Sequence, residues 1–292
     1  MANQPVELVE KVVGVGGVGL VTLEGGSGRP LLMLHDELGF PGWMRWNEAL
    51  AADRRFVVPL QPGFGRTPRV DWFGSVRDVA AFYARMLRES GLGPVDVVGF
   101  SAGGWIAAEM AASDPELFDR MVLVAPLGIR PAEGEILDFL AMTMRRHVMT
   151  TVSNQDAEEL ATMYGGAISA EQFELFEAAR AESSRLAWEP FMFDPTLPHR
   201  LAGVRDLETL IIWGERDQVA PRGCAEAYEQ AIPGARLKVV TGVGHRPEIE
   251  DRHQFVKLVS EFLETPLPDR SFGRTSSVRM SEARPGKMQN AV

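Results

Sequence analysis

Short apolar runs rich in β-branched residues recur along the chain at 18–24, 31–35, 56–60, 95–99, 120–125, 208–213 and 236–240. Helical patterns separate them. Val79, Ala80, Tyr83, Met86 and Leu87 fall on one helical stripe, and Phe255, Leu258, Val259, Phe262 and Leu263 on another. Strands alternating with amphipathic helices predict parallel βαβ units, hence an α/β fold with a doubly wound, mostly parallel sheet. The alternation lapses between 130 and 195. There Ile136, Leu137, Leu140 and Met144 lie on one helical stripe and Phe173 and Phe176 on another, with no strand pattern until the Pro-rich run PFMFDPTLP. The pattern therefore predicts a core formed by 1–129 and 196–265 and a helical cap, or lid, over 130–195. Residues 266–292 are rich in Pro, Ser, Gly and Arg and poor in large apolar side chains, so a disordered tail is expected. Its basic residues suit either a solvated tail or an acidic partner.

Composition narrows the function classes. With 292 residues, 45% of them hydrophobic, the chain can bury a large core. A formal charge of −10 and a pI near 5.1 argue against a nucleic-acid partner, because phosphate binding needs concentrated Lys and Arg. Cys224 is the only cysteine, which excludes an intrachain disulfide and a multi-cysteine zinc site. Neither a signal peptide nor a membrane-spanning run is recognisable, so a cytoplasmic protein acting on a small molecule, without cofactor, metal or membrane association, is expected, with a homodimer as one option for its assembly. Gly14-Val15-Gly16-Gly17-Val18-Gly19 fits a dinucleotide fingerprint, yet a strand and turn follow it where pyrophosphate binding needs a helix. It reads as a Gly-rich β-hairpin.

The strongest chemical signal is Gly99-Phe100-Ser101-Ala102-Gly103-Gly104, placed between the apolar run VDVV and the helix-like WIAAEMAA. A serine on a sharp strand-to-helix turn, with glycines on both sides, is a nucleophile elbow, and the backbone N–H of Ala102 then faces a developing oxyanion. Its hydroxyl needs a base. Of His35, His147, His199, His245 and His253, only His245 sits in a loop between a late strand and the last helix; the other downstream histidines read as surface or packing residues. Asp217, in the turn after the strand-like LIIWG, is the acid that orients the base, with the order Ser, Asp, His that accompanies such an elbow. Glu215 is the rival, read as solvated.

These motifs resemble those of the α/β-hydrolase family, and the resemblance extends from about 12 to 264. His35-Asp36 is similar to the family's His-Gly oxyanion loop, and Gln61-Pro62-Gly63-Phe64-Gly65-Arg66 to the turn after the next strand. The match implies a second oxyanion donor at the backbone N–H of Glu37. Asp36 stands where the family usually has Gly, and Gln61 where it usually has Asp. A serine nucleophile separates the chain from dehalogenases and epoxide hydrolases of this fold, which attack with Asp. Carbon–carbon hydrolases of ring-cleavage products typically carry Asn before the nucleophile and Trp after the histidine, where this chain has Phe100 and Arg246. The expectation is therefore a serine esterase acting on a small apolar ester, lactone or thioester, with carbon–carbon hydrolysis and cofactor-free perhydrolysis as alternatives and a non-enzymatic binding protein last. Phe100, Trp105, Met142, Trp188 and Arg246 are candidate pocket residues, and five of the 13 methionines fall in the cap, where their flexible side chains suit an adaptable apolar surface.

Overall fold

A computed structural model describes residues 6–165 and 169–267. Most of the tail expected to be disordered, 268–292, lies outside the described residues. Eight strands form one sheet: β1 (Val9–Val15), β2 (Val18–Gly26), β3 (Arg29–Leu34), β4 (Arg54–Pro59), β5 (Val95–Phe100), β6 (Phe118–Val124), β7 (Glu208–Gly214) and β8 (Arg236–Val240). Their spatial order is β1-β2-β4-β3-β5-β6-β7-β8. β1 and β2 are antiparallel, as are β2 and β4, and every later pairing is parallel. This is the expected α/β architecture. The Gly-rich run forms the β1–β2 hairpin, with Gly16 and Gly17 at positive φ in its turn. No strand pattern marks 9–15 in the sequence, because β1 is an edge strand whose side chains are mostly exposed.

Nine helices surround the sheet: α1 (Arg45–Leu50), α2 (Val76–Ser90), α3 (Ala102–Ser113), α4 (Met144–Thr150), α5 (Ala170–Ala187), α6 (Leu197–Leu201), α7 (Arg222–Ala231), α8 (Pro247–Glu250) and α9 (Arg252–Glu264) among the described residues. One apolar layer gathers side chains of α2, α3, α6 and α7, and the opposite layer those of α1 and α9. Covered on both faces, β5 is buried along its whole length, which is why it reads as a continuous apolar run rather than an alternation.

Among its described residues, the segment between β6 and β7 carries α4, α5 and α6 and no strand of the sheet. Its ends meet: Gly128 donates to the Met192 carbonyl at 3.0 Å and accepts from Asp194 N–H at 3.0 Å. The stripe from Ile136 to Met144 is not one helix. Leu137 donates to the Val219 carbonyl, and the Asp138 side chain accepts from Ala141 N–H, so a 3₁₀ turn at 139–141 precedes α4. In α5, Phe176 is buried and Phe173 is exposed. Among the described residues no helix is long and apolar enough to cross a membrane.

Candidate active site

Ser101 sits at the turn from β5 to α3 with φ 48° and ψ −114°, a left-handed backbone that L-residues rarely adopt. The turn is fixed from several sides. Ser101 N–H donates to Val124 of β6, and its carbonyl accepts from Trp105 and Leu127. Gly103 is obligatory at this point, since a Cβ there would stand 2.2 Å from the Leu34 carbonyl oxygen and 2.4 Å from that of His35. Its absence lets the start of α3 lie against the end of β3 and the loop that follows.

His245 and Asp217 reach the serine from the ends of β8 and β7. Ser101 Oγ lies 3.0 Å from His245 Nε2, and His245 Nδ1 lies 2.7 Å from Asp217 Oδ2. The second Asp217 oxygen, Oδ1, accepts from the N–H groups of Val219 and Ala220 at 2.8 and 3.0 Å. The carboxylate is thereby locked by its own turn. Burial opposes the imidazolium of His245, but the charge of Asp217, its hydrogen bond and the nearby Glu37 outweigh this and raise the pKa above 6.5, with Arg246 acting in the opposite sense. Glu215 is exposed and accepts from Gly242 N–H at 2.9 Å, away from the imidazole. The histidine loop is tied down by Glu250, which accepts from Gly244 at 2.6 Å and from Ser153 and Asn154 ahead of α5.

The loop after β3 holds three buried polar residues in a row, each with a different partner. His35 Nε2 accepts from Gln61 N–H at 3.0 Å, and its Nδ1 lies 2.9 Å from the Asp36 carbonyl. Burial lowers its pKa, which agrees with a neutral ring bridging two loops. Asp36 meets Arg246 Nη2 at 2.6 Å, with both side chains almost wholly buried. Tyr164 O–H donates to Asp36 at 3.1 Å and accepts from Arg246 Nη2 at 2.8 Å, while Arg246 Nε donates to Thr151 Oγ1 at 3.1 Å. Asp36 and Arg246, two departures from the resembled patterns, are thus each other's ion-pair partners. Glu37 faces His147 of α4, with Oε1 3.2 Å from Nε2 and both side chains 1% exposed. Burial opposes ionisation of Glu37, yet His147, the charge of His245 and the Ser101 hydroxyl prevail and hold its carboxyl well below the usual range. The sequence reading placed His147 among surface or packing residues; its ring is indeed stacked on Phe139, but it belongs to this polar cluster.

A narrow cavity lies beside the nucleophile, lined by Glu37, Ala102, Gln61, Ser183, Trp105 and apolar neighbours such as Ile106. It therefore contains both residues expected to donate to an oxyanion. Of the five expected pocket residues, only Trp105 lines it. Phe100 turns to the opposite face and packs against Trp46 and Phe255, as strand alternation just before the elbow requires. Trp188 is 58% exposed on a separate depression with Arg130 and Phe193. Met142 follows the 3₁₀ turn, half-buried, and Arg246 is spent on Asp36. Three of the methionines between β6 and β7, Met144, Met149 and Met163, line a larger hollow with Tyr164 and Phe176.

The arrangement is a serine hydroxyl, an imidazole and a carboxylate in one line of contacts, with a polar cluster linking the β3 loop to the helical segment. A family model described as the alpha/beta hydrolase family matches residues 31–258. The chain is 31% identical over 256 residues to a 2-hydroxymuconate semialdehyde hydrolase of Pseudomonas sp. (strain CF600), covering 82% of this chain and 88% of that protein. It is 28% identical over 278 residues to a 2-hydroxy-6-oxo-2,4-heptadienoate hydrolase of Pseudomonas putida, covering 90% and 99%. Among solved structures, the naproxen esterase of Bacillus subtilis superimposes with a TM-score of 0.69 at 14% identity, covering 89% of this chain and 92% of that one.

Proposed function

Because this chain belongs to the alpha/beta hydrolase family, we propose that it is a serine hydrolase that cleaves a bond at a carbonyl carbon through an acyl-enzyme on Ser101. The observation that carries this reading is the continuous chain from Ser101 Oγ through His245 to Asp217, with contacts of 3.0 and 2.7 Å. In it, His245 Nε2 takes the serine proton as Oγ attacks, Asp217 stabilises the imidazolium, and His245 returns the proton to the leaving group. The backbone N–H groups of Glu37 and Ala102 receive the oxyanion. The helical segment between β6 and β7 acts as a lid, since its polar residues close over the loop after β3.

For the bond cleaved, the first reading is carbon–carbon hydrolysis of a conjugated 2-hydroxy-6-oxo-dienoate. Both relatives named above carry hydrolase names of that substrate type, and each aligns over more than four-fifths of this chain. Chemically the bond suits a serine triad once the 2-hydroxy-dienoate has shifted its enol proton to C5 and become a 2,6-dioxo-3-enoate, because the departing carbon then leaves as a delocalised dienolate and takes its proton from His245. This revises the ester expectation drawn from Phe100 and Arg246. Ester hydrolysis remains as a second reading on a specific observation: Arg246 is already neutralised by Asp36, and the ionised Glu37 beside Ser101 disfavours a carboxylate substrate. Measuring kcat/KM for a dienoate and a short aryl ester on one preparation tests the choice. Faster dienoate cleavage supports the first reading, faster ester hydrolysis the second, and turnover of both by Ser101→Ala would remove the mechanism itself.

A further inference from the structure

Glu37 has a carboxylate that neither the fold nor the roles given to Ser101, His245 and Asp217 accounts for. Both of its oxygens are buried, and neither receives a well-formed hydrogen bond from a described residue. Its charge is held by the imidazole of His147 at 3.2 Å and by the nearby Ser101 hydroxyl. A buried ion in this state costs several kcal/mol unless something donates to it. Its main chain is pinned separately, since Ser183 Oγ of α5 donates to the Glu37 carbonyl at 3.1 Å. Glu37 borders the cavity beside Ala102, which has room for about 20 Å³ and includes Gln61 and Ser183 in its wall. That volume is about the size of one water molecule.

We propose that Glu37 is a further catalytic residue, whose carboxylate holds the water that hydrolyses the acyl-enzyme, and that His147 is the positioning residue that holds the carboxylate. The proposal rests on the Ser101 acyl-enzyme reading above. One O–H of the water donates to Glu37, and its other proton passes to His245 Nε2 as the water oxygen bonds to the acyl carbon. The tetrahedral adduct then collapses: the bond from carbon to Ser101 Oγ breaks, Oγ takes the proton from His245, and the free carboxylic acid departs. Glu37 is neither consumed nor permanently protonated. The attacking oxygen is thereby fixed between two acceptors, which is how positioning lowers a barrier without changing the base.

The experiment is stopped-flow reaction of the full chain with p-nitrophenyl acetate, combined with intact-protein mass spectrometry. Glu37→Gln keeps the shape but weakens the acceptor. It is expected to retain the rate of p-nitrophenol release in the first turnover and to slow deacylation by roughly 10²-fold, so that an acetyl group accumulates on Ser101. Added hydroxylamine, which needs no held water, should restore turnover in the variant more than in the unaltered protein. Glu37→Asp, which retains the charge but retracts it, guards against a folding failure and should show the same selective deacylation defect. His147→Gln should slow deacylation while leaving acylation in place. Equal loss of acylation and deacylation, or no extra response to hydroxylamine, would reduce the pair to a brace between the β3 loop and α4 and overturn the proposal. If the unaltered protein never carries an acetyl group on Ser101, and Ser101→Ala reacts at the same rate, it is the underlying acyl-enzyme reading that has failed.

Discussion

Arg246→Met tests whether the polar cluster behind the histidine is an interdependent unit. The substitution removes a buried guanidinium whose Nη2 meets Asp36 at 2.6 Å and Tyr164 at 2.8 Å, and leaves the Asp36 carboxylate with only the Leu38 N–H and the tyrosine hydroxyl. Breaking such a pair by removing one partner costs about 3–5 kcal/mol, because an uncompensated charge stays buried. For a chain of this size that corresponds to a fall of roughly 5–8 °C in Tm. Asp36→Gly alone strands the cation instead, although Glu248 at 3.7 Å relieves part of the loss. The double variant, Asp36→Gly with Arg246→Met, removes both charges and should recover most of the stability, since replacing a whole buried pair is often neutral or favourable. Urea unfolding of the four proteins gives the coupling directly as a double-mutant cycle. Additive single losses, or a single loss below about 1 kcal/mol, would refute the claim that the two residues exist for each other.

Ser101→Ala should abolish turnover by roughly 10³-fold or more while leaving Tm near that of the unaltered protein, as measured by substrate depletion and calorimetry. Asp217→Asn should be severely impaired and Glu215→Gln nearly silent; the reverse in steady-state kinetics would move the acid to the wrong residue. Because only neutral His245 accepts a proton and its pKa lies above 6.5, kcat/KM should rise with pH through a midpoint above that value, and a midpoint below it would contradict the site electrostatics. Glu248 is buried and its carboxyl is pushed up to about 7 from 4.5, so its stabilising contribution is complete below 4.5 and lost as pH rises through 7. Glu248→Gln should therefore gain up to about 3 kcal/mol over the unaltered protein at pH 8 and lose that advantage near pH 4.5; a pH-independent difference in Tm would exclude the titration.

What could be read in the sequence was whatever local geometry dictates. Ser101 is visible because its strained turn demands glycine at fixed offsets, and central strands such as β5, β6 and β7 are visible because burial on both faces leaves them nearly continuously apolar. β1 escaped because its side chains are exposed along most of its length, whereas β8 at the other edge keeps the alternation of Leu237 and Val239 with Arg236 and Lys238. The pairs Glu37 with His147 and Asp36 with Arg246 escaped for another reason. They join residues far apart in the chain, 210 positions in the second case, so no periodicity or spacing announces them. The pocket residues were misjudged where nearness in sequence stood in for direction. Phe100 adjoins the nucleophile, yet its ring points through the sheet to Trp46 and Phe255.

The same distinction explains why the triad leaves the scissile bond open. In the proposed mechanism Ser101, His245 and Asp217 handle a proton and an acyl carbon, and these are common to an ester and to a dienoate ketone. The difference lies in the substrate's own charge, which must find an opposite charge or several donors once water is excluded. Arg246 is unsuited to that duty, because Asp36, Tyr164 and Thr151 already take up its polar faces. Glu37 works against it. A dienoate carboxylate must therefore be met by neutral donors, of which Gln61 lines the cavity beside Ala102. Recognition by neutral donors gives an affinity that depends weakly on ionic strength, whereas recognition by a free arginine would weaken with added salt. If the dienoate is the substrate, its KM should stay nearly constant between low and moderate salt. A steep rise would mean that a cation other than Arg246 holds the carboxylate.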